Sequence, residues 1–330
     1  MRPPEFWRHG EGPGPVLLRP LSSIWQVVSN IKMAMAKPAK VSIPVICVGN
    51  LNVGGTGKTP VALAIAARLR QSKIDVHFLI RGYGGRLKGP LRVDPSRHGA
   101  RDVGDEALLL AAAGPTWIGA DRAASARAAV ADGAALLIMD DGHQNMSLAK
   151  DLSLIVIDRE YGLGNGLVMP AGPLREPARQ GLARADGVIE LSSGGRAGGA
   201  SLPSTGLPIL AAHLEPVPGA EAAPGAKVVA FAGIGRPEKF FATLQALGYD
   251  IVARHTFDDH HTFSSDEIMR IVEQAASLGA RPMTTTKDAT RLSPEARMMT
   301  DVLAIRVEFA DAVALDVLLS PLITKARAAQ

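Results

Sequence analysis

Residues 45–60, with the sequence VICVGNLNVGGTGKTP, contain the residue types and the spacing that bind a polyphosphate. Apolar residues end at Gly49, a glycine-rich turn follows, and Lys58 and Thr59 begin a segment with helical spacing. Glycines let backbone N–H groups surround phosphate oxygens, a lysine reaches the β- and γ-phosphates, and a threonine hydroxyl ligates Mg²⁺. The alternative is a turn that binds no ligand, but the order of strand, loop and helix favours a phosphate loop.

The match to the phosphate-loop consensus is incomplete, because Asn52 stands where the consensus has its first glycine. The glycines that follow supply the backbone freedom instead. The predicted nucleotide-binding residues are Asn52, Val53, Gly54, Gly55, Thr56, Gly57, Lys58 and Thr59.

Two acidic residues follow a second apolar run. Residues 134–139 (AALLIM) are typical of a buried strand, and Asp140 and Asp141 come directly after it. Acids at the end of a strand downstream of a phosphate loop hold Mg²⁺ directly or through water. We therefore predict a metal site formed by Asp140, Asp141 and the Thr59 hydroxyl. Without the loop upstream, the same residues would be an ordinary turn.

Other loops carry polar residues with two possible roles. Asp105 and Glu106 begin a predicted helix, where acids stabilise the first turn by about 0.3–1 kcal/mol whatever else they do. His260 follows two aspartates in FDDHH, a loop histidine that a carboxylate can orient, since no third ligand stands at a zinc-like spacing. Tyr83, between glycines, can contact a sugar or lie in a surface turn. Arg175 can clamp a phosphate or pair with Glu176 at the surface.

These residues need a scaffold that brings several strand ends to one edge. The pattern predicts an α/β fold: a mainly parallel sheet flanked by helices, as in phosphate-loop NTPases, with a second, smaller α/β domain. The predicted strands are 45–49, 75–80, 117–120, 134–139, 152–158, 188–191, 227–232, 251–255, 282–286 and 302–307. The expected boundaries are an N-terminal arm and helix at 1–40, a phosphate-loop domain at 41–192, a Gly/Pro/Ala-rich junction at 193–226 and the smaller domain at 227–330.

Composition narrows the classes of protein. The 330 residues are 47% hydrophobic with only 4% aromatic, which excludes a disordered chain, and the net charge of +4 suits an anionic substrate or a membrane surface. Nucleic acid is not an expected partner, because aromatic platforms and a basic cluster are lacking. The single cysteine, Cys47, excludes an internal disulfide and indicates a reducing compartment. The sequence indicates no oligomeric state.

The N-terminal region contains an amphipathic helix after an arm rich in proline and glycine. Apolar residues recur at spacings of three and four from Leu17 to Met35, and Trp25 widens the stripe. Basic residues lie on or beyond the polar side, so the helix can lie on an anionic bilayer. Equally, it can pack against its own domain. No apolar run approaches the roughly 18 residues of a spanning helix, and no secretory signal is expected.

Taken together, the motifs resemble those of the tetraacyldisaccharide 4'-kinases of lipid A biosynthesis. GNLNVGGTGKTP, RGYGG, VGDE, DDGHQ, PAGPLRE, FDDHH and TTKDA occur in the family's order over nearly the whole chain. The resemblance implies ATP and Mg²⁺ as cofactors and an acylated glucosamine disaccharide 1-phosphate as acceptor. It also implies a peripheral position on the cytoplasmic face of the bacterial inner membrane, through the N-terminal helix.

The resemblance also implies roles for individual residues. Asp105 would act as base on the sugar hydroxyl, His260 would support it, and Lys58 would neutralise charge on the phosphates. Because Asp105 and His260 lie in different predicted domains, closure of the domains would assemble the pair. The expected contacts with the acceptor are Tyr83, Gly84, Arg122, Asn165, Arg175 and Glu176.

Two other functions compete with this interpretation. Switch ATPases of the partition type have loops of the form GGxGKT, but a lysine precedes the two glycines, where this chain has Val53. A kinase of a soluble small-molecule acceptor is the second alternative. The requirement for a micellar or bilayer acceptor distinguishes the two kinase functions.

Overall fold

The computed structural model describes residues 4–192, 205–217, 223 and 225–329. Its strands are β1 Val45–Gly49, β2 Val76–Ile80, β3 Leu91–Arg92, β4 Thr116–Ile118, β5 Leu136–Asp140, β6 Leu152–Asp158, β7 Gly187–Ser192, β8 Ile209–Pro216, β9 Lys227–Ala232, β10 Asp250–Thr256, β11 Arg281–Thr285, β12 Asp301–Leu303 and β13 Ile305–Phe309. Its helices are α1 Phe6–His9, α2 Gly14–Met35, α3 Lys58–Gln71, α4 Ala100–Val103, α5 Asp105–Ala113, α6 Arg122–Ala131, α7 Ala178–Leu182, α8 Pro237–Ala246, α9 Ser265–Ser277, α10 Thr286–Ala289, α11 Pro294–Met298 and α12 Ala312–Ala329.

Two sheets organise the described part of the chain. The large sheet has nine strands in the order β13-β8-β7-β6-β1-β5-β2-β4-β3, and only its two outermost pairs are antiparallel. The small sheet has four parallel strands in the order β10-β9-β11-β12. We call residues 225–303 the small unit and the elements of the large sheet, with their helices, the large unit.

The first strand lies at the centre of the large sheet, between β5 and β6. All five of its residues are buried, which fits an apolar run that is covered on both faces by helices. Strand order reverses beside β1, and ligands bind at such a position, outside the carboxyl ends of the strands. The phosphate loop therefore begins where an open α/β sheet places its ligand.

Helix α3 follows the loop and packs its apolar face on the sheet. Buried Val61, Ile65 and Leu69 recur at a spacing of four, so one stripe of the helix faces the core. The same core contains Leu315 and Leu319 of α12. The last helix of the chain thus packs in the large unit.

The end of the chain differs from the expected domain boundaries. The apolar piece inside the expected junction is β8, which pairs in parallel with β7 of the large sheet. The expected strand 302–307 is two strands, because β12 joins the small sheet and β13 returns to pair with β8. The small unit is therefore an insertion between two strands of the large sheet, rather than a C-terminal domain that runs to residue 330.

The N-terminal arm also differs from the expected irregular segment. Residues 6–9 form α1, and α2 begins at Gly14 rather than at residue 17. Pro15 lies in the first turn of α2, where its fixed φ angle suits a helix and its missing N–H is not needed. The helix thus gains an extra turn at its start.

Candidate active site

The phosphate loop is held from both sides by contacts with neighbouring segments. Asn50 Nδ2 donates a hydrogen bond to Thr56 Oγ1 (3.1 Å), and Asn52 Nδ2 donates to the carbonyl of Gly162 (2.9 Å). The N–H of Val53 donates to the carbonyl of Pro173 (2.8 Å). Asn52, which replaces the consensus glycine, therefore anchors the loop through its side chain.

Glycine stands at different positions of the loop for different physical reasons. Gly57 has a φ angle of +84°, and a Cβ there would lie 2.2 Å from Cδ2 of Leu191. A Cβ at Gly54 or Gly55 would meet nothing within 4 Å. Gly57 is thus required by the backbone and by packing, and Gly54 by its φ angle of +105°, whereas Gly55 is required by neither. Around Gly54 and Gly55 the loop leaves space that a ligand can fill.

A cleft of about 710 Å³ opens beside this loop. Residues 55–59 form one wall, and side chains of α3, α8, β8 and β13 form the others. Of the predicted nucleotide contacts, Gly55, Thr56, Gly57, Lys58 and Thr59 line this cleft. Asn52, Val53 and Gly54 lie outside this lining, and their contact with the nucleotide stays a prediction.

The predicted metal ligands lie together at the carboxyl end of β5. Thr59 Oγ1 donates to Asp140 Oδ2 (2.7 Å), and Asp140 is completely buried. Its second oxygen, Oδ1, is buried and accepts no hydrogen bond within the described residues. Burial, with the charge of Glu106 added, raises the pKa of Asp140 to about 7. A buried carboxylate oxygen without a donor, beside a hydroxyl, fits a hard divalent cation such as Mg²⁺.

Asp141 takes a different set of partners. Its carboxylate receives two hydrogen bonds from Arg175, at 2.8 and 3.1 Å, and Lys58 Nζ lies 3.6 Å away. Burial raises the pKa of Asp141, but Lys58 and Arg175 outweigh burial and leave the pKa below its ordinary value. Asp141 therefore stays ionised and links the phosphate-loop lysine to Arg175.

The second cluster joins the two units. Asp105 is the first residue of α5, and its carboxylate is only 5% exposed. His260, from the loop after β10, approaches it so that Nδ1 lies 2.9 Å from Asp105 Oδ2. His260 has a φ angle of +62°, a left-handed backbone that aims the ring out of its turn. The pair predicted from the family resemblance is thus in hydrogen-bonding contact.

Charge in this cluster favours the ionised carboxylate. Burial alone would raise the pKa of Asp105, but the His260 hydrogen bond and the charges of Lys287, His260 and Arg291 leave the pKa below its ordinary value. The hydrogen bond to Asp105 raises the pKa of His260, against burial, which lowers it. Both effects favour the ion pair, so Asp105 is a carboxylate with a protonated Nδ1 beside it.

Sequence reasoning missed several charged residues of this cluster. Lys287 Nζ lies 3.5 Å from Glu106 Oε1 and 3.3 Å from Asp259 Oδ1. Arg291 Nε lies 3.5 Å from Asp105 Oδ2. The motif TTKDA, which ends two residues before Arg291, was the available signal, but nothing in it shows which carboxylate the cations face.

A second connection between the units was also missed. Asp158, at the end of β6, accepts hydrogen bonds from Arg236 Nη1 (2.7 Å) and Lys239 Nζ (2.9 Å), which belong to the start of α8. The guanidinium of Arg236 also stacks on Tyr161, with 4.6 Å between its carbon and the ring centroid. Asp158, Arg236 and Lys239 all line the cleft, opposite the phosphate loop.

The residues expected to contact an acceptor fall into two groups. Tyr83 is 71% exposed, its ring centroid lies 6.0 Å from that of His260, and Gly84 follows it in a left-handed conformation. Arg175 is partly exposed and bound to Asp141. For these three residues, contact with an acceptor stays a prediction.

The other three have internal partners, which differs from the expected direct contact. Arg122 is 2% exposed and donates to the carbonyl of Gly119. Asn165 uses its amide to bind the backbone of residues 6, 167 and 171. Glu176 is 2% exposed and accepts two hydrogen bonds from Arg184. Their side chains therefore have structural partners inside the protein.

Comparisons with known proteins agree with this geometry. A family model described as LpxK, tetraacyldisaccharide-1-P 4'-kinase, matches residues 15–323. The tetraacyldisaccharide 4'-kinase of Rhodospirillum rubrum is 51% identical over 326 residues, which are 98% of each chain. The enzyme of that name from Rhodospirillum centenum is 50% identical over 329 residues, covering 98% of this chain and 97% of the relative.

A solved structure extends the comparison to the fold. The crystal structure of LpxK from Aquifex aeolicus in complex with ATP matches with a TM-score of 0.75 and 25% identity, covering 94% of this chain and 99% of that one. The predicted α/β architecture with a phosphate loop is thereby confirmed. By its family match, its identity with full-length relatives and its fold, this chain belongs to the tetraacyldisaccharide 4'-kinase family.

Proposed function

We propose that this protein transfers the γ-phosphate of ATP to the 4'-hydroxyl of a tetraacylated glucosamine disaccharide 1-phosphate, a lipid A precursor. One observation carries the proposal: His260 Nδ1 lies 2.9 Å from Asp105 Oδ2 beside the cleft that the phosphate loop lines. Their neighbours in sequence, Glu106 and Asp259, line that cleft. A nucleotide site and a carboxylate able to accept a hydroxyl proton therefore lie next to each other.

The nucleotide phosphates bind at the start of α3. The backbone N–H groups of residues 55–59 and the positive end of the helix attract phosphate oxygens, and Lys58 neutralises charge on the β- and γ-phosphates. Thr59, Asp140 and Asp141 would hold Mg²⁺, which supplies positive charge to the phosphate oxygens when bound. Arg175 keeps Asp141 in place through two hydrogen bonds.

Transfer proceeds by attack of the acceptor oxygen on the γ-phosphorus. The new oxygen–phosphorus bond forms as the bond to the β,γ-bridging oxygen breaks, and ADP leaves with that electron pair. Asp105 accepts the hydroxyl proton, and the protonated Nδ1 of His260 orients the carboxylate without itself giving up a proton. A base with a low pKa suffices, because the loose transition state needs a positioned nucleophile more than an early deprotonation.

The acceptor approaches from the side of Tyr83. The exposed ring beside His260 is suited to contact a sugar, and the glycine after it allows close approach of a ligand to the backbone. Arg175 contacts the acceptor from the opposite loop. Arg122, Asn165 and Glu176 hold these loops in place from inside the protein and do not themselves contact the acceptor.

Helix α2 brings the protein to the surface of a membrane that contains the acceptor. Its side chains Leu17, Leu21, Ile24, Val28, Ile31 and Met35 are 46–76% exposed, although they are large and apolar. The opposite side is fixed to the loop before Arg175, because Ser22 Oγ donates to the carbonyl of Val168 (2.7 Å) and Trp25 Nε1 to that of Arg175 (3.0 Å). A contiguous exposed apolar stripe with basic neighbours is typical of an interfacial helix.

The location that follows is peripheral, on the cytoplasmic face of the bacterial inner membrane. Within the described ranges, none of the helices combines the length and the apolar character needed to cross a bilayer. The fixed position of α2 beside Arg175 would then hold the acceptor loops close to the lipid surface. Each basic residue near an anionic surface adds about 1 kcal/mol to the attraction.

Flotation with anionic phospholipid vesicles tests the membrane contact. Ile24→Glu places a charge in the exposed stripe, whereas Asn30→Glu adds the same charge on another side of the helix. We expect Ile24→Glu to lower the vesicle-bound fraction strongly and Asn30→Glu to lower it little. Equal binding by the two variants would refute the proposed orientation.

Phosphate transfer is tested with radiolabelled ATP and the acyl-disaccharide acceptor in detergent micelles. Lys58→Ala and Asp105→Asn should each lower transfer at least about 100-fold, since each removes a group that acts on the reacting atoms. Lys227→Ala, which removes an exposed lysine outside the cleft, is the control. Wild-type turnover by Asp105→Asn, or efficient phosphorylation of a soluble acceptor, would contradict the proposed function.

A further inference from the structure

Arg291 approaches Asp105 from the small unit, on the same carboxylate oxygen that His260 contacts. Its side chain is 4% exposed, and Nε lies 3.5 Å from Asp105 Oδ2. The guanidinium is fixed by hydrogen bonds to the carbonyls of His261 (2.8 Å) and Gly233 (2.9 Å) and to the carboxylate of Asp288. A buried arginine held by so many acceptors has little freedom to move away.

One nitrogen of this guanidinium differs from the other two. Nε of Arg291 is buried and makes no hydrogen bond to any residue that the structure describes. A buried N–H group without an acceptor destabilises the folded protein, so buried N–H groups normally have a hydrogen-bond partner. Asp105 Oδ2 lies 3.5 Å from this Nε, and a shift of a few tenths of an ångström would turn the ion pair into a hydrogen bond.

The two oxygens of Asp105 have unequal surroundings. Oδ1 accepts one hydrogen bond, from the N–H of Glu106 (2.9 Å). Oδ2 faces both His260 Nδ1 and Arg291 Nε. Each carboxylate oxygen offers about two acceptor directions. His260 takes one direction of Oδ2 and Arg291 Nε faces the other, whereas Oδ1 has a single donor among the described residues.

We infer that Arg291 is a positioning residue for phosphate transfer, which acts with His260 to occupy Oδ2 of Asp105 and so presents Oδ1 to the acceptor hydroxyl. The inference rests on the proposed role of Asp105 as proton acceptor. Arg291 does not touch the reacting atoms. It keeps the carboxylate ionised and fixed in one orientation. A fixed orientation lowers the free energy of the transition state more than that of the bound substrate.

Three other charged residues lie around Asp105. Lys287 faces it from the start of α10, Glu106 follows it on α5, and Asp259 lies beside Lys287 and His260. Lys287 is shared with Glu106 and Asp259, which reduces the charge it offers Asp105. Arg291 is paired with the buried carboxylate of Asp288 through Nη2. Its Nε contacts the carboxylate of Asp105 and no other acid among the described residues.

The test compares Arg291→Gln, Arg291→Lys and the control Arg297→Gln, which removes an exposed arginine of α11. A contact with a charged group that tightens into a hydrogen bond in the transition state corresponds to about 10- to 150-fold in rate when it is lost. We expect Arg291→Gln to lower kcat by this factor with the KM for ATP nearly unchanged. Arg291→Lys, which keeps the charge, should recover most of kcat, and the control should behave as wild type.

The same substitution in an Asp105→Asn background separates positioning from a merely structural role. Because Arg291 acts through Asp105, Arg291→Gln should lower kcat less than about threefold in a protein that already lacks the Asp105 carboxylate. The same cost in both backgrounds, or no rescue by lysine, overturns the inference. Because Asp288 would be left unpaired, Asp288→Asn with Arg291→Gln is included as a folding control, and the same loss of kcat is expected.

The result also distinguishes the inference from the function on which it rests. Wild-type kcat for Asp105→Asn alone refutes the proposed role of Asp105. An impaired Asp105→Asn together with a fully active Arg291→Gln leaves that role in place and refutes the inference about Arg291.

Discussion

His260→Gln removes the imidazole that joins the small unit to Asp105. In the wild type, Nδ1 of His260 donates to Asp105 Oδ2 at 2.9 Å, and Asp105 is only 5% exposed. Glutamine is polar and of similar length, but it carries no positive charge. The variant therefore leaves a nearly buried carboxylate with a weaker donor or with none.

The expected loss follows from the kind of contact. A hydrogen bond to a charged group contributes about 1.5–3 kcal/mol, which is about 10- to 150-fold in kcat when it is made in the transition state. Burial raises the pKa of Asp105, and the His260 hydrogen bond is the largest of the effects that lower it. Removing His260 therefore raises this pKa, so the acid limb of the kcat–pH profile moves to higher pH.

Stability should depend on pH in two opposite ways. Asp105 has a lowered folded-state pKa, so its contribution is present above its unfolded value of about 3.9 and is lost as pH falls through the folded value. His260 has a raised folded-state pKa, so its contribution is complete below about 6.5 and is lost as pH rises through the folded value. The difference in unfolding free energy between wild type and His260→Gln should be largest between these limits.

The matched control is His261→Gln. His261 Nε2 lies 3.2 Å from Glu267 and stacks on Phe257, and it makes no contact with Asp105 in the described structure. Steady-state kinetics with the lipid acceptor should show a large loss for His260→Gln and a small one for His261→Gln. Unchanged kcat and an unshifted acid limb in His260→Gln would refute the reasoning.

Two further substitutions test other parts of the structure. Gly57→Ala should cost about 2–5 kcal/mol in urea unfolding, because a positive φ angle and a Cβ only 2.2 Å from Leu191 add strain, whereas Gly55→Ala should leave stability unchanged and weaken ATP binding in calorimetry. Asp158→Asn should cost about 1–3 kcal/mol at pH 7, and the difference should vanish in acid, because the lowered pKa of Asp158 makes its contribution disappear as pH falls through the folded-state value. Stability equal to wild type at pH 7 would contradict the contact of Asp158 with Arg236 and Lys239.

Local signals predicted the nucleotide side of the site well. The run 45–60 specifies a strand, a turn and a helix within sixteen consecutive residues, so no distant contact is needed to form it. The same holds for Asp140 and Asp141, which follow a buried apolar run. Thr59 and Asp140 then meet because β1 and β5 are neighbours, as the fold class requires.

The sequence did not predict which strands that are distant in the chain pair with each other. The strand β8 lies among residues rich in glycine, alanine and proline, and its partner β13 comes some ninety residues later. The first residues of β8 alternate between exposed and buried, which is typical of a strand with one face towards solvent, but the choice of partner depends on the tertiary fold. For this reason the return of the chain to the large sheet was not expected.

The pairing of Asp105 with His260 came from the family resemblance and not from spacing, since 155 residues separate the two. Loop residues with unassigned partners have several equally reasonable interpretations until the fold brings them together. The same limit explains why Arg291 and Asp158 were missed. Conversely, Asn165 and Glu176 were expected at the ligand. Asn165 instead bonds backbone groups, as polar side chains in long loops often do, and Glu176 accepts hydrogen bonds from the side chain of Arg184.

The division of charge between the two units has a physical consequence for the reaction. Asp105 belongs to the large unit, and the cations that lower its pKa, Lys287, His260 and Arg291, all belong to the small unit. If the units separate, the carboxylate loses these cations together with the donors that fix its orientation. The proposed base therefore has its full set of cations only when the small unit is docked, and the pair Asp158–Arg236 joins the two units at another point of the cleft.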